Sequence, residues 1–551
     1  MGWKSTWEMD DLSFEKPIFD IKLLSVIFLC VLLQESVYAS DSIFEKTIAE
    51  ITRESLLPSV GENGRPLPLV GHWNRGQLAG GYDPKYQFNL IKNGHHLLPW
   101  FHFPMPGEKW NADYYAVIEE YRKLNLPISF IGTQWERILS EDNSYLELEE
   151  KLNPNVVNLA GSIERKVSPF GRAKDWRDVG ERWTNNEGFL TLQDLYPNPP
   201  LILFVSNNEH KKMRWHEALL SRRFIEKYGL LNTPNEIKKI IGDKWIDLYA
   251  NLFDGMLDGI KSEHWKGNLK FIGYNAFLTG SFGRWPGWLK YSLVIPGRIE
   301  PWSHVWDGAS VPYYTHDWNK SSDFTVMSPQ IQAMNQLFAQ DDFQRTNRHY
   351  WFEMSVWDGN SPEKQQDKQA YYKSLGQSYS PDRYKGYVKF GMWLLRPRLV
   401  REFRGWSDTV NRTENYFLQI VDAVDDIYRS DLLSKFWRYG ELVKNDVLEH
   451  PYQSMIPSEL KEKSRWFLLD ANVNPIRPWR LNDELKVFSI ALCIGENKDQ
   501  EWLLYTYSPL DEYKDVKLTL PGYGIVELNS TPKGEYYHLK KNSDELINLK
   551  I

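Results

Sequence analysis

Between about Pro66 and Arg404, short apolar runs alternate with longer stretches of helical periodicity, and no other feature constrains this chain so strongly. A strand that leads into a helix cannot join its neighbour through a tight hairpin. Repeating the unit therefore builds a parallel sheet with helices on its faces. A segment of this length holds eight units, which predicts an α/β fold of the (β/α)8 TIM-barrel type.

The strands are read from apolar runs with turn residues at their ends. Leu97 to Phe103 reads as the first and Pro127 to Ile131 as the second, with Val156 to Leu159 as the third. Leu201 to Val205 is the clearest, a continuous apolar run ending in Ser206-Asn207-Asn208-Glu209. Leu269 to Gly273, Ser310 to Tyr314, Tyr350 to Ser355 and Phe390 to Leu395 complete the eight. Helices are expected at Asp113 to Lys123, Arg214 to Lys227 and Pro234 to Lys261. From about Ser464 the texture changes to short strands at regular spacing, punctuated by turns such as Pro521-Gly522-Tyr523-Gly524, which predicts a small all-β sandwich. The expected organisation is a signal peptide over 1–39, a lead-in over 40–65, the barrel with a helical stretch at its end over 66–463, and the sandwich over 464–551.

The leader rests on Leu23 to Leu33, an apolar run too short to span a bilayer, preceded by Lys16 and Lys22 and followed by the small residues of Val37-Tyr38-Ala39. It implies a secreted or periplasmic protein with no stable membrane span once processed; a buried helix is the other reading of the run. Only Cys30 and Cys493 are present, and Cys30 leaves with the leader, so no internal disulfide is expected and zinc sites built on cysteine are disfavoured. The formal net charge is -7, without the basic balance of a nucleic-acid binder. Phosphate-loop and dinucleotide motifs are absent and no histidine–carboxylate cluster has metal-ligand spacing, so no cofactor is expected. A G-x-S-x-G elbow is absent too. The sequence is silent on oligomeric state.

Aromatic residues make up 15% of the chain, including 24 Trp. Indole faces stack on the C–H faces of sugars, and the indole N–H adds a hydrogen bond, so carbohydrate is the favoured partner. A large aromatic core is the alternative. In a barrel the active site lies where strands end at the C-terminal face. Glu209 closes the strongest strand, with Asn207 and Asn208 before it, and Glu353 lies late in the seventh. Two carboxyls facing one cleft suit glycoside hydrolysis, one protonating the leaving oxygen while the other attacks the anomeric carbon or activates water; their separation decides between retention and inversion. Taken singly, each Glu could equally be a structural partner for arginine.

Asn208-Glu209 after strand four, Glu353 on strand seven and Trp393 on strand eight resemble the clan of (β/α)8 retaining glycoside hydrolases that includes the family 42 β-galactosidases, and suggest a relative of marine algal galactan hydrolases of agar or carrageenan type. The resemblance covers about residues 66 to 404. It implies Glu209 as general acid/base, Glu353 as nucleophile, Asn208 as a sugar contact, Trp393 as the floor of the subsite and a strand-six tyrosine near the nucleophile. The chain departs from the commonest pattern in carrying His210 where proline follows the acid/base.

Lys211, Lys212 and Arg214 follow Glu209, and Arg284 sits beside Trp285; basic groups near a cleft suit a sulfated or carboxylated polysaccharide, and a solvated helix start is the other account. Further candidates for the cleft are Trp73, Trp100, His102, Trp135, Tyr274, Asn275, Tyr314, His316 and Trp357. Two rivals remain. A polysaccharide lyase could draw on His316 and Tyr314, and a non-catalytic carbohydrate-binding protein would need neither Glu.

Overall fold

The computed structural model describes residues 42–550, except 74–82, 108–111, 207–211, 274–292, 296–300, 315–339, 341–346, 358–369, 371–372, 404–409, 444–466, 469–486, 509–510 and some single positions. Eight parallel strands form one sheet: β1 (Leu69–His72), β2 (Trp100–His102), β3 (Ile128–Thr133), β4 (Ile202–Ser206), β5 (Leu269–Gly273), β6 (Gly308–Tyr314), β7 (Trp351–Trp357) and β8 (Leu399–Glu402). The sheet runs from β2 through β8 in chain order and returns to β1, which pairs with β8. Val70 then donates to His96 O at 2.9 Å and accepts from Leu98 N at 2.9 Å, which joins β1 to the segment entering β2 and brings the barrel round.

The (β/α)8 expectation holds, with corrections to the strand list. Leu97 to Phe103 contains the second strand, because β1 is only four residues long and lies in a proline-rich stretch. Val156 to Leu159 overlaps Asn155–Val157, one arm of an antiparallel hairpin with Ile163–Val167 outside the barrel. The two errors cancel, so strands four to seven keep their expected order. Phe390 to Leu395 is no strand. It is the end of a fifteen-residue helix, Pro381–Leu395, and the eighth strand follows at Leu399. An apolar run buried on every side reads the same in either conformation, and only its length separates the two.

Helices pack on the outer face. Six are used below: α1 (residues 42–56), α2 (Trp135–Glu141), α3 (Ala173–Thr184), α4 (Pro234–Gly259), α5 (Pro381–Leu395) and α6 (Val410–Arg429). Helix α4 starts on Thr233, whose hydroxyl accepts from Glu236 N while the Glu236 carboxylate accepts from Thr233 N, a capping box followed by Pro234 in the first turn. Where α3 and α4 cross, Gly180 faces the Leu252 carbonyl and Gly255 faces the Arg177 carbonyl, with no room for a side chain at either.

Successive residues of a strand point to opposite faces. Phe130, Phe204 and Phe271 form a row on β3, β4 and β5 that meets Phe189 and Trp265 of the helical layer. Tyr313 of β6 and Met354 of β7 press on Gly391 of α5, where even a methyl group would sit 2.6 Å from the Tyr313 ring. These residues define the outward face. Glu353, Ser355 and Trp357 alternate with Met354 and therefore face the interior.

The C-terminal strands form the predicted β unit. Phe488–Ile494, Glu501–Tyr507, Glu535–Lys540 and Glu545–Leu549 pair antiparallel in one sheet. The hairpin Tyr513–Leu520 with Gly524–Ser530 packs Leu518, Leu520, Val526 and Leu528 against Trp502, Leu504 and Leu539 of that sheet. Glu441–Leu442 joins the same sheet, so the unit draws on residues before the expected boundary at 464. It is sewn to the barrel through α5: Trp393 Nε1 donates to Tyr536 Oη at 2.7 Å, and Tyr505 Oη donates to Gly386 O at 2.7 Å.

Candidate active site

The inward residues at the strand exits give the site its floor. Trp73 follows β1, Trp357 closes β7 and Phe403 follows β8, with Trp73 and Trp357 each packed edge-on to Phe403 at ring distances of 6.3 and 5.7 Å. Trp73 Nε1 donates to Ser355 Oγ at 2.8 Å, which fixes the indole against β7. The three rings meet at the C-terminal mouth, where a barrel places its chemistry.

Beneath them lies an ion pair inside the barrel. Arg401 of β8 donates from Nε to Glu353 Oε2 at 2.7 Å and from Nη2 to Glu353 Oε1 at 2.8 Å. Trp351 Nε1 adds a third bond to Oε1 at 2.8 Å. Arg401 also donates from Nη1 to His72 O at 3.2 Å, and its guanidinium lies 5.6 Å from the Trp73 ring centre. Both side chains of the pair have 0% exposure. Two-point contact makes the pair strong, and dehydration makes either partner costly to leave alone. Glu353 faces the barrel interior four residues before the end of β7, two inward steps below Trp357, with both oxygens engaged.

The other expected site residues fall in several places. Trp100 of β2 is buried against His72 and Phe417 of α6, with ring distances of 5.7 and 6.0 Å. His102 ends β2 and is buried. Trp135 is wholly buried at the start of α2 among Trp183, Phe253 and Trp306, a core position. Trp393 is not on a strand: it is buried in α5 between Trp437 and Tyr536, at the seam with the β unit, because the run that carries it is helical. Tyr314 is the last residue of β6. Asn208, Glu209, Lys211, Tyr274, Asn275, Trp285 and His316 lie outside the described residues, as does Arg284.

Two of the basic residues thought to face substrate have partners in the fold. Lys212 is buried, its ammonium 4.6 Å from the Trp302 ring centre and 5.6 Å from that of Tyr249. Arg214 pairs with Glu217, which also accepts from Arg214 N at 2.8 Å. Next to Lys212 is a carboxyl of another kind. Glu136 is buried in α2 and accepts from Tyr249 Oη, while its Oε2 has no hydrogen-bond partner among the described residues. Burial raises its pKa, opposed by the nearby Lys212 charge and the Tyr249 hydroxyl.

Sequence reasoning missed Arg401 and Phe403. With strand eight assigned to 390–395, nothing marked Leu399-Val400-Arg401-Glu402 as a strand, and only strand alternation places Arg401 on the face of Glu353. No metal-ligating group of three or more His, Cys, Asp or Glu occurs among the described residues, and none of their helices is long and apolar enough to cross a membrane.

Together these features define a (β/α)8 barrel with an aromatic cluster at its C-terminal strand exits above a buried Arg–Glu pair. No protein-family model matches the chain, and no curated protein matches it. Among solved structures it is similar to a GH36 α-galactosidase from Geobacillus stearothermophilus in complex with stachyose, at TM-score 0.36 and 11% identity, covering 90% of this chain and 56% of that one. The chain thus spans little more than half the length of that enzyme. It is also similar to Amy13B of Eubacterium rectale, at TM-score 0.34 and 8% identity over 82% of this chain and 86% of that one. AmyP in complex with maltose follows at TM-score 0.30 and 9% identity, over 85% of this chain and 84% of that one. Likeness at this level leaves family and activity to be argued from the residues.

Proposed function

We propose that the chain is an exported glycoside hydrolase acting on an oligosaccharide or polysaccharide, with a β-linked galactan, neutral or sulfated, as the substrate class. The observation that supports the reading is the cluster of Trp73, Trp357 and Phe403 at the strand exits, the two indoles buried and Phe403 partly exposed. An aromatic cluster at this end of a barrel suits a site for the apolar face of a sugar ring. Glu209, three positions past the end of β4, is the proposed general acid/base. Double displacement then needs a carboxylate nucleophile, and by resemblance that is Glu353.

Glu353 is wholly buried two inward steps below the end of β7, with Arg401 on both oxygens. That depth favours a second assignment within the same mechanism. Asp358 is the first residue past the end of β7, the chain position at which a carboxylate reaches a barrel mouth. On this assignment Glu353 anchors Arg401 under the floor and Asp358 attacks.

The experiment is release of reducing ends from a panel of neutral and sulfated galactans by wild type, Glu209→Gln, Glu353→Gln and Asp358→Asn, with a folding check on each. Glu209→Gln should lose most activity on the polymer and less on substrates with good leaving groups. A folded Glu353→Gln variant that stays active, beside a dead Asp358→Asn variant, selects Asp358; the reverse selects Glu353. Full polymer activity in Glu209→Gln would sink the acid/base assignment. Products with ultraviolet-absorbing unsaturated ends would mark a lyase.

A further inference from the structure

Far from the mouth, four ionisable side chains converge where α1, the entry to β2 and α6 meet. His96 Nδ1 lies 2.7 Å from Asp425 Oδ1 and its Nε2 lies 2.8 Å from Glu50 Oε2, so one imidazole bridges a carboxylate of α6 to a carboxylate of α1. His95 Nδ1 meets the other oxygen of Asp425 at 2.7 Å, and His96 N donates to Asp425 Oδ1 at 3.2 Å. The Tyr428 ring stacks on His96 with centres 3.5 Å apart. Lys46 and Arg53 flank Glu50 on α1, and Arg429 reaches Asp425 at 3.5 Å on α6. An imidazole can donate to carboxylates from both nitrogens only when protonated; the neutral ring has one donor and leaves one carboxylate facing a lone pair.

We propose that His96 is a protonation-dependent latch, which holds the first turns of α1 against the barrel while the imidazole is charged and lets them loosen when it is neutral. The far end of α1 does not depend on it. Glu54 pairs with Arg438 at 2.6 Å and accepts from Leu67 N at 2.9 Å, while Arg398 donates to the carbonyls of Glu54 and Ser55 at 3.1 and 2.9 Å. Loosening is therefore confined to the stretch up to Glu50.

The direction with pH follows from the charges. Hydrogen bonds and charge from Asp425 and Glu50 outweigh the burial of His96 and raise its pKa. The latch is therefore complete below the unfolded histidine pKa and is lost as pH rises through the raised folded value. Asp425 and Glu50 are lowered, against burial, by His96 and its neighbours, so the acid limit lies below the ordinary carboxylate range.

The test is hydrogen exchange of the whole protein, read as protection factors for 42–50 and 51–56 at a series of pH values from mildly acidic to alkaline. Protection of 42–50 should fall about tenfold across the histidine transition, the effect of losing one charge-assisted hydrogen bond, while 51–56 holds. His96→Gln should abolish the step. Glu50→Gln, which leaves the buried His96–Asp425 contact in place, should do so even if His96→Gln fails to fold. An unchanged pH step in a folded Glu50→Gln variant, or equal loss over both halves of the helix, would overturn the latch.

Discussion

Glu353 and Glu136 are both carboxyls with almost no exposed surface, and they are held in opposite ways. Glu353, inside the barrel, receives three hydrogen bonds, two from a single guanidinium. Glu136, outside it in the helical layer, accepts a hydrogen bond from Tyr249 and leaves an oxygen without a hydrogen-bond partner among the described residues. Burial pushes its pKa up, with Lys212 too weak an opposing charge to reverse the shift. Buried carboxyls are thus no single class: one is gripped on both oxygens by a guanidinium, the other keeps a single tyrosine contact while burial raises its pKa. Position in the barrel decides which, because only the interior brings a strand-eight arginine and a strand-seven glutamate side by side.

The largest effect that would break the contrast is expected from Arg401→Met. It strands Glu353 as a buried charge and should cost about 3–5 kcal/mol, measured by denaturant unfolding. The double variant Arg401→Met with Glu353→Leu should recover most of that loss, because the penalty lies in the unpaired charge. No loss in the single variant would mean that the pair is not closed in solution.

Lys389 extends the comparison to a cation. It is buried in α5, with its ammonium 4.2 Å from the Tyr536 ring centre and 5.5 Å from that of Tyr505, and burial brings its pKa down to about 7. The unfolded chain holds this proton more tightly, so the penalty is complete below pH 7 and fades as pH rises toward the unfolded lysine value. Lys389→Met should stabilise the protein by about 2 kcal/mol in mild acid and much less near pH 10. A pH-independent difference would place the ammonium in water.

The smallest effect is expected from Glu136→Gln. A raised carboxyl contributes stability below its unfolded pKa and loses it as pH rises through the folded value. The amide does not titrate, so its stability relative to wild type should improve by about 1 kcal/mol between acid and neutral pH. Parallel pH profiles for the two proteins would show that Glu136 is ionised after all.

Much of the architecture was legible in the sequence. Leu201 to Val205 and Leu269 to Gly273 are buried parallel strands that read as continuous apolar runs, and Thr233-Pro234 with Glu236 announces the start of α4. What failed were segments where length or neighbours decide. Leu69–His72 is too short to stand out, and the apolar end of α5 is buried on all sides, so it carries no period to distinguish helix from strand. The aromatic excess admits either a sugar-binding surface or a large core; among the described residues Trp135, Trp176, Trp183, Trp245, Trp265 and Trp393 are wholly buried, and Trp73 and Trp357 at the strand exits are buried as well. Glu353 stands out in the sequence as a strand-seven carboxyl, but its partner Arg401 lies 48 residues away on a strand that does not stand out.

The most direct test of the glycosidase reading is reducing-end release from galactan polymers by wild type and Glu209→Gln at equal folded concentration. The account predicts new reducing ends without ultraviolet absorbance from the wild type and almost none from Glu209→Gln. Equal release from both proteins, or unsaturated products, would contradict it.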